Sequence, residues 1–171
     1  MTLAISVFSL FVSILSLYLS RKSWKDTNRP LITVRVTSFG LGGNISIPLS
    51  ILVENTGNRP AKNIILSIED ASLKKALSGG VNDPLRKEVE KCFSKRGCIH
   101  ILANGKSISN GFGCLTSGSD STWKNNSTLN VIVNYEDLDE RKFSSKIALR
   151  IADDTGFAGS FWSGAKEKNI S

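Results

Sequence analysis

The chain has 171 residues, 40% hydrophobic and 22% charged, a balance that fits a folded protein and excludes a disordered one. Its formal net charge is +7, gathered at Arg21, Lys22, Lys25 and Arg29 and again at Arg86, Lys87, Lys91, Lys95 and Arg96. No aromatic RNA-binding motif or helix-turn-helix pattern accompanies that charge, so a membrane surface, and not nucleic acid, is the expected partner.

Residues 3–20, LAISVFSLFVSILSLYLS, contain no charge. As a helix rising about 1.5 Å per residue they cover roughly 27 Å, close to the ~30 Å of a bilayer's hydrocarbon core. Residues 1–20 are therefore expected to be a transmembrane anchor helix. A cleaved signal peptide carries positive residues ahead of its apolar stretch, whereas here Arg21 and Lys22 follow it directly. Positive flanks stay cytoplasmic, so the expected topology has the N-terminus outside and the C-terminal domain in the cytoplasm, at the inner membrane in a bacterium. Residues 21–30 read as a juxtamembrane basic linker in which Arg21, Lys22, Trp24, Lys25 and Arg29 meet lipid headgroups.

Inside the span, Ser6, Ser9, Ser13, Ser16 and Ser20 are spaced 3, 4, 3 and 4. That spacing lines one helix face with small polar residues, which lets helices approach closely in a membrane. It predicts an interface for self-association or for docking on a partner's helix.

Residues 31–171 are expected to form one antiparallel β-sandwich. Ile32, Val34 and Val36 alternate with polar residues, as do Ile45, Ile47, Leu49, Ile51 and Val53. The turn Asn55-Thr56-Gly57-Asn58 leads to a returning strand with Ile64, Leu66 and Ile68. Between about 71 and 97 a helical insertion interrupts the strands. Asp83 and Pro84 supply a helix start, Leu85, Val89, Cys92 and Phe93 share one apolar face, and Gly97 supplies a stop, which predicts a helix over 84–96. Lys87, Lys91 and Lys95 form a stripe along it, which reads first as a solvated helix face and otherwise as a contact for anionic lipid headgroups or an acidic partner. Leu129, Val131, Val133 and Tyr135 form a later strand, and the acidic turn Glu136–Glu140 joins it in a hairpin to Phe143, Ile147, Leu149 and Ile151.

The segment from Leu52 to Ile64, with its Asn55-Thr56-Gly57 turn followed by Ala61, resembles the Ig-like sandwich modules of the CARDB (cell-adhesion-related) type. Leu102-Ala103-Asn104-Gly105-Lys106-Ser107 resembles the Leu-x-x-Gly element of those modules. The layout as a whole resembles uncharacterised bacterial single-span membrane proteins carrying one such domain. The resemblance implies an Ig-like fold and no particular ligand.

Chemistry is weakly represented. His100 is the single histidine, and no nucleophile motif surrounds it or Cys98. Cys92, Cys98, His100 and Cys114 could be written as a zinc set, but their spacing does not match zinc knuckles. Three cysteines leave at least one unpaired, which suits a reducing compartment. The carboxylates at Glu136, Asp137, Asp139 and Glu140 lack the order of a calcium loop. The glycine-rich pieces 40–43 and 110–113 lack the lysine and serine of a phosphate loop and read as strand connectors. Phe157, Phe161 and Trp162 form an aromatic cluster suited to packing or to anchoring a partner. Asn44, Asn125, Asn126 and Asn169 are sequons, relevant only to a domain facing a eukaryotic lumen.

The expectation is a non-enzymatic, membrane-anchored protein-interaction module without a cofactor, contacting membrane lipid, a protein partner and other copies of itself. The alternative is an extracytoplasmic adhesion or carbohydrate-binding domain on the same anchor.

Overall fold

The structure, a computed structural model, describes residues 2–38, 46–78, 83–116 and 121–152, with the backbone alone for residues 2–4 and 83–85. The apolar run forms a helix that is longer than the run itself. α1 (Thr2–Thr27) has 26 residues, about 39 Å at helical rise. Residues 21–27, the first part of the expected juxtamembrane basic linker, are thus helical. No proline occurs before Pro30, and Asn28 closes the last turn. It donates its backbone N–H (2.9 Å) and its side-chain amide (3.0 Å) to the Trp24 carbonyl.

After α1 come β1 (Ile32–Ser38), β2 (Ile47–Asn55) and β3 (Ala61–Ile68). Two helices, α2 (Asp70–Ala76) and α3 (Asp83–Cys92), and a 3₁₀ turn at Lys95–Gly97 follow. The chain then returns to strands: β4 (Ile99–Leu102), β5 (Ser107–Leu115), β6 (Ser127–Glu136) and β7 (Lys142–Ile151). They form two antiparallel sheets, ordered β1-β2-β5 and β4-β3-β6-β7. The fold is mainly β, a sandwich preceded by an apolar helix, as the alternation implied. Ile32 and Val34, Leu49, Ile51 and Val53, and Leu129, Val131 and Val133 turn inward and are buried.

Three elements differ from expectation. Asn110-Gly111-Phe112-Gly113 is not a connector but the middle of β5. Its pairing with β2 shifts by one residue opposite Pro48–Ser50, a bulge in which Gly113 takes a φ of 83°. The bulge turns Phe112 into the core, where Trp123 stacks on it at 4.5 Å and donates its indole N–H to the Phe112 carbonyl. α3 stops at Cys92 and not at 96, because the chain tightens into the 3₁₀ turn there. Gly97 packs so closely on that turn that a Cβ would stand 2.8 Å from the Lys91 carbonyl oxygen. α2 falls in the helical insertion expected from about 71 but is a helix of its own, apart from the one expected over 84–96; seven residues are too few to show a period, yet Leu73 and Ala76 are buried in it.

The pairings set the ends of the sandwich. Ile32 lies opposite Asn55, Ala61 opposite Leu102, and Glu136 opposite both Lys62 and Lys142. Turns 56–60, 103–106 and 137–141 therefore gather at the end where α1 arrives, and α3 sits at the far end.

Candidate functional site

α1 holds a segment, Ile5–Thr27, long and apolar enough to cross a membrane, with a mean hydropathy of 1.4 and none of it buried against the sandwich. Ser6, Ser9, Ser13, Ser16 and Ser20 all lie on this exposed helix. The Ser13 hydroxyl donates to the Ser9 carbonyl at 2.8 Å, so it is satisfied within its own helix. The stripe therefore offers small size to a neighbouring helix, and not an unpaired hydroxyl at Ser13.

The last turn of α1 is fastened to the sandwich. The Arg141 guanidinium donates to the Lys25 carbonyl at 2.9 Å and to Asp26 at 3.4 Å. Lys25 lies 3.8 Å from Asp139, and the Arg59 guanidinium donates to the same carboxylate oxygen at 2.9 Å. Arg59 also lies over the Trp24 ring, 5.9 Å from its centre. Of the expected headgroup contacts, Arg21, Lys22, Trp24 and Arg29 are exposed and Lys25 is half-buried; Trp24 and Lys25 also touch the sandwich's own turns through Arg59 and Asp139.

The acidic turn is part of this junction. The fully buried Asp137 accepts the N–H groups of Asp139 and Arg141, each at 2.9 Å, and the Arg141 Nε–H at 2.7 Å. Burial pushes its carboxyl up, but the Arg141 N–H, the Arg141 guanidinium and the Asp139 N–H together hold it below the usual carboxylate range. The Arg59 hydrogen bond likewise lowers Asp139. Glu136 accepts from the Asn63 amide at 3.0 Å. These carboxylates are committed to internal donors, not arranged around a cation. Among the described residues, no three His, Cys, Asp or Glu side chains gather as a metal site.

Asn55 explains the turn that follows β2. It is fully buried; its Oδ1 accepts from Leu31 (3.3 Å) and Gly57 (3.1 Å), and its Nδ2 donates to the carbonyls of Arg59 (2.8 Å) and Leu102 (3.1 Å). One amide therefore ties the segment leaving α1 to both sheets.

At the opposite edge of the sandwich, β4 and β5 do not meet. Between them opens an apolar groove of about 660 Å³, floored by Ile51, Val53 and Leu66 and walled by Ile99 and Ile108. Its α3 end is lined by Lys91, Cys92, Arg96 and Cys98. Burial pushes the Cys92 thiol up, and the Asn110 amide reaches its sulfur at 3.5 Å. His100 also lines the groove, but Cys114 is elsewhere, 3.7 Å from the Thr122 hydroxyl, so the would-be zinc set is split.

The lysine stripe is only partly assembled. Lys87, Lys91 and Lys95 are exposed, but Lys95 has left the helix for the 3₁₀ turn, and Lys91 pairs with Glu88. Phe157, Phe161 and Trp162 lie outside the described residues. Sequence reasoning missed Asn55, Arg59 and Arg141 as junction residues and Arg96, Ile99 and Ile108 as groove residues. An Asp-to-Arg spacing of four across the 137–141 turn was the one available sign of the first group.

A family model described as Domain of unknown function (DUF8453) matches residues 1–153, a span that includes α1 and every strand described above. No curated protein matches the chain.

Proposed function

We propose, for a chain that belongs to the DUF8453 family with helix and sandwich inside one family unit, a non-enzymatic, membrane-anchored protein-interaction module. The anchor crosses the membrane with its N-terminus outside and the sandwich in the cytoplasm, and its serine stripe mediates self-association. The supporting observation is the junction. An apolar helix of crossing length continues into a polar turn that Arg141, Asp139 and Arg59 fasten to the domain. A helix held that way positions a domain against a membrane; a leader destined for removal has no use for such fastening.

The inward orientation is supported by Arg21, Lys22, Lys25 and Arg29 immediately after the apolar run and by a cysteine count of three, which cannot all pair within the chain. The interaction role is supported by the open apolar groove between β4 and β5. Anchoring raises the effective concentration of weak binders at the membrane. The test is expression of the full chain in cells, followed by carbonate washing of membranes and crosslinking. The chain stays in the membrane pellet and crosslinks to a protein partner through the sandwich. Release by carbonate removes the anchor, and a sandwich that crosslinks to no protein removes the module.

A further inference from the structure

The two sides of the sandwich are unlike. On one side β1 and β7 lie against each other and carry Arg35, Lys142, Lys146 and Arg150. Charged side chains on an edge discourage further strands from pairing. On the other side β4 reads Ile-His-Ile-Leu and β5 reads Ser-Ile-Ser-Asn-Gly-Phe-Gly-Cys-Leu, without an Asp, Glu, Lys or Arg between them. Among the described residues, no strand pairs with the outer edge of either.

The start of β5 shows what is missing. Ser107 to Gly111 are all exposed. Ile108 is in register with the buried Val53 and so faces inward, yet it is 47% exposed. An inward-facing isoleucine becomes half exposed when the next strand of its sheet is absent. The groove beside it reaches the core residues Ile51, Val53 and Leu66.

We propose that β5 accepts an extended segment of a partner protein as a further strand of the β1-β2-β5 sheet. Its alternate apolar side chains fill the groove, and an acidic residue at one end meets Arg96. Strand addition satisfies the free main-chain groups of the edge, and the two-residue period of a strand sends every second side chain into the groove. The stretch from Ser107 to Gly111 suits about six residues of partner, roughly 20 Å. Charge selects the partner's chemistry. Among the described residues no carboxylate lines the groove, while Lys91 and Arg96 stand at its α3 end. Lys91 is engaged by Glu88, but Arg96 makes no ion pair among the described residues.

This inference rests on the interaction-module reading, and its test separates the two. Full-length chain in detergent is panned against a random octapeptide phage library. Enriched peptides alternate apolar residues and end in Asp or Glu. They bind the Ile108→Lys chain about tenfold more weakly, and Arg96→Glu shifts selection toward Lys or Arg ends. Both positions are exposed, so unchanged melting is expected; Ile108→Thr replaces the lysine variant if its melt shifts. Absence of enrichment, or peptides indifferent to both substitutions, overturns the proposal. Binding that requires removal of residues 153–171 assigns the groove to the chain's own end instead. A dimer dissolved by Ile108→Lys assigns it to a second copy. A crosslinked partner unaffected by either substitution overturns this site and leaves the module reading standing.

Discussion

Gly57 lies so close to Leu31 that a Cβ there would stand 2.3 Å from the Leu31 nitrogen. The Arg29 carbonyl oxygen would be 2.4 Å away on the same side. Both neighbours are backbone, so neither can swing aside. Gly57→Ala must push the segment leaving α1 off the sandwich, and it is expected to destabilise the domain by about 2 kcal/mol. A chemical-denaturation midpoint measures it; a neutral alanine would mean that the segment is not seated against this turn.

Asn55 is the polar half of the same clamp. Asn55→Ala strands four main-chain groups on Leu31, Gly57, Arg59 and Leu102. With several buried groups left unpaired, the expected loss is about 3 kcal/mol. Asn55→Asp retains the two accepted bonds and forfeits the two donated ones, so its melting temperature should fall between those of the alanine variant and the parent.

Much of this fold was legible and part was not, for identifiable reasons. The hairpin of β6 and β7 was read correctly because its inward residues, from Leu129 to Ile151, repeat at a spacing of two over long strands. β4 has only four residues, and β5 is broken by a bulge at Gly113, so neither shows a sustained period. The groove between them was therefore invisible. The junction was hidden for a different reason. Arg59, Asp139 and Arg141 are ordinary turn residues until the turns converge, and only the strand register brings them to Lys25 and Asp26.

Asp137 makes the stability of the domain depend on acid. Its carboxyl is lowered in the folded chain, so its contribution is fully present above the unfolded value of about 3.9 and is lost as pH falls through the lower folded value. Asp137→Asn removes that dependence and costs about 2 kcal/mol at neutral pH, since the Arg141 guanidinium loses its charged acceptor. The gap between the melting temperatures of the two chains should be widest at neutral pH and narrow as the pH falls below the unfolded value. Parallel curves would show that Asp137 is not the group responsible.

The serine stripe predicts a measurable association. Ser9→Leu combined with Ser13→Leu enlarges two positions of the close-approach face and should weaken helix pairing by about 1 kcal/mol in a membrane two-hybrid reporter. Leu10→Ile on another face should have little effect. Equal signals from all three chains would remove the stripe as an interface.

Thiol chemistry reads the topology. A membrane-impermeant maleimide is expected to leave Cys92, Cys98 and Cys114 unlabelled on intact cells and to label the chain after lysis. Within the lysed sample Cys92 should react last as pH is raised, because burial holds its thiol above the ordinary range. Labelling of intact cells would place the sandwich outside.

A junction of Arg141 with Lys25 and Asp26 also makes α1 and the sandwich one phase-locked body. Each residue of a helix turns its surroundings by about 100°. In the membrane-anchored pairing proposed above, the compass bearing of the groove around the membrane normal would be set by which face of α1 meets its neighbour. One residue inserted between Ser20 and Trp24 would swing the groove about a quarter turn away, without altering a single atom of the groove itself.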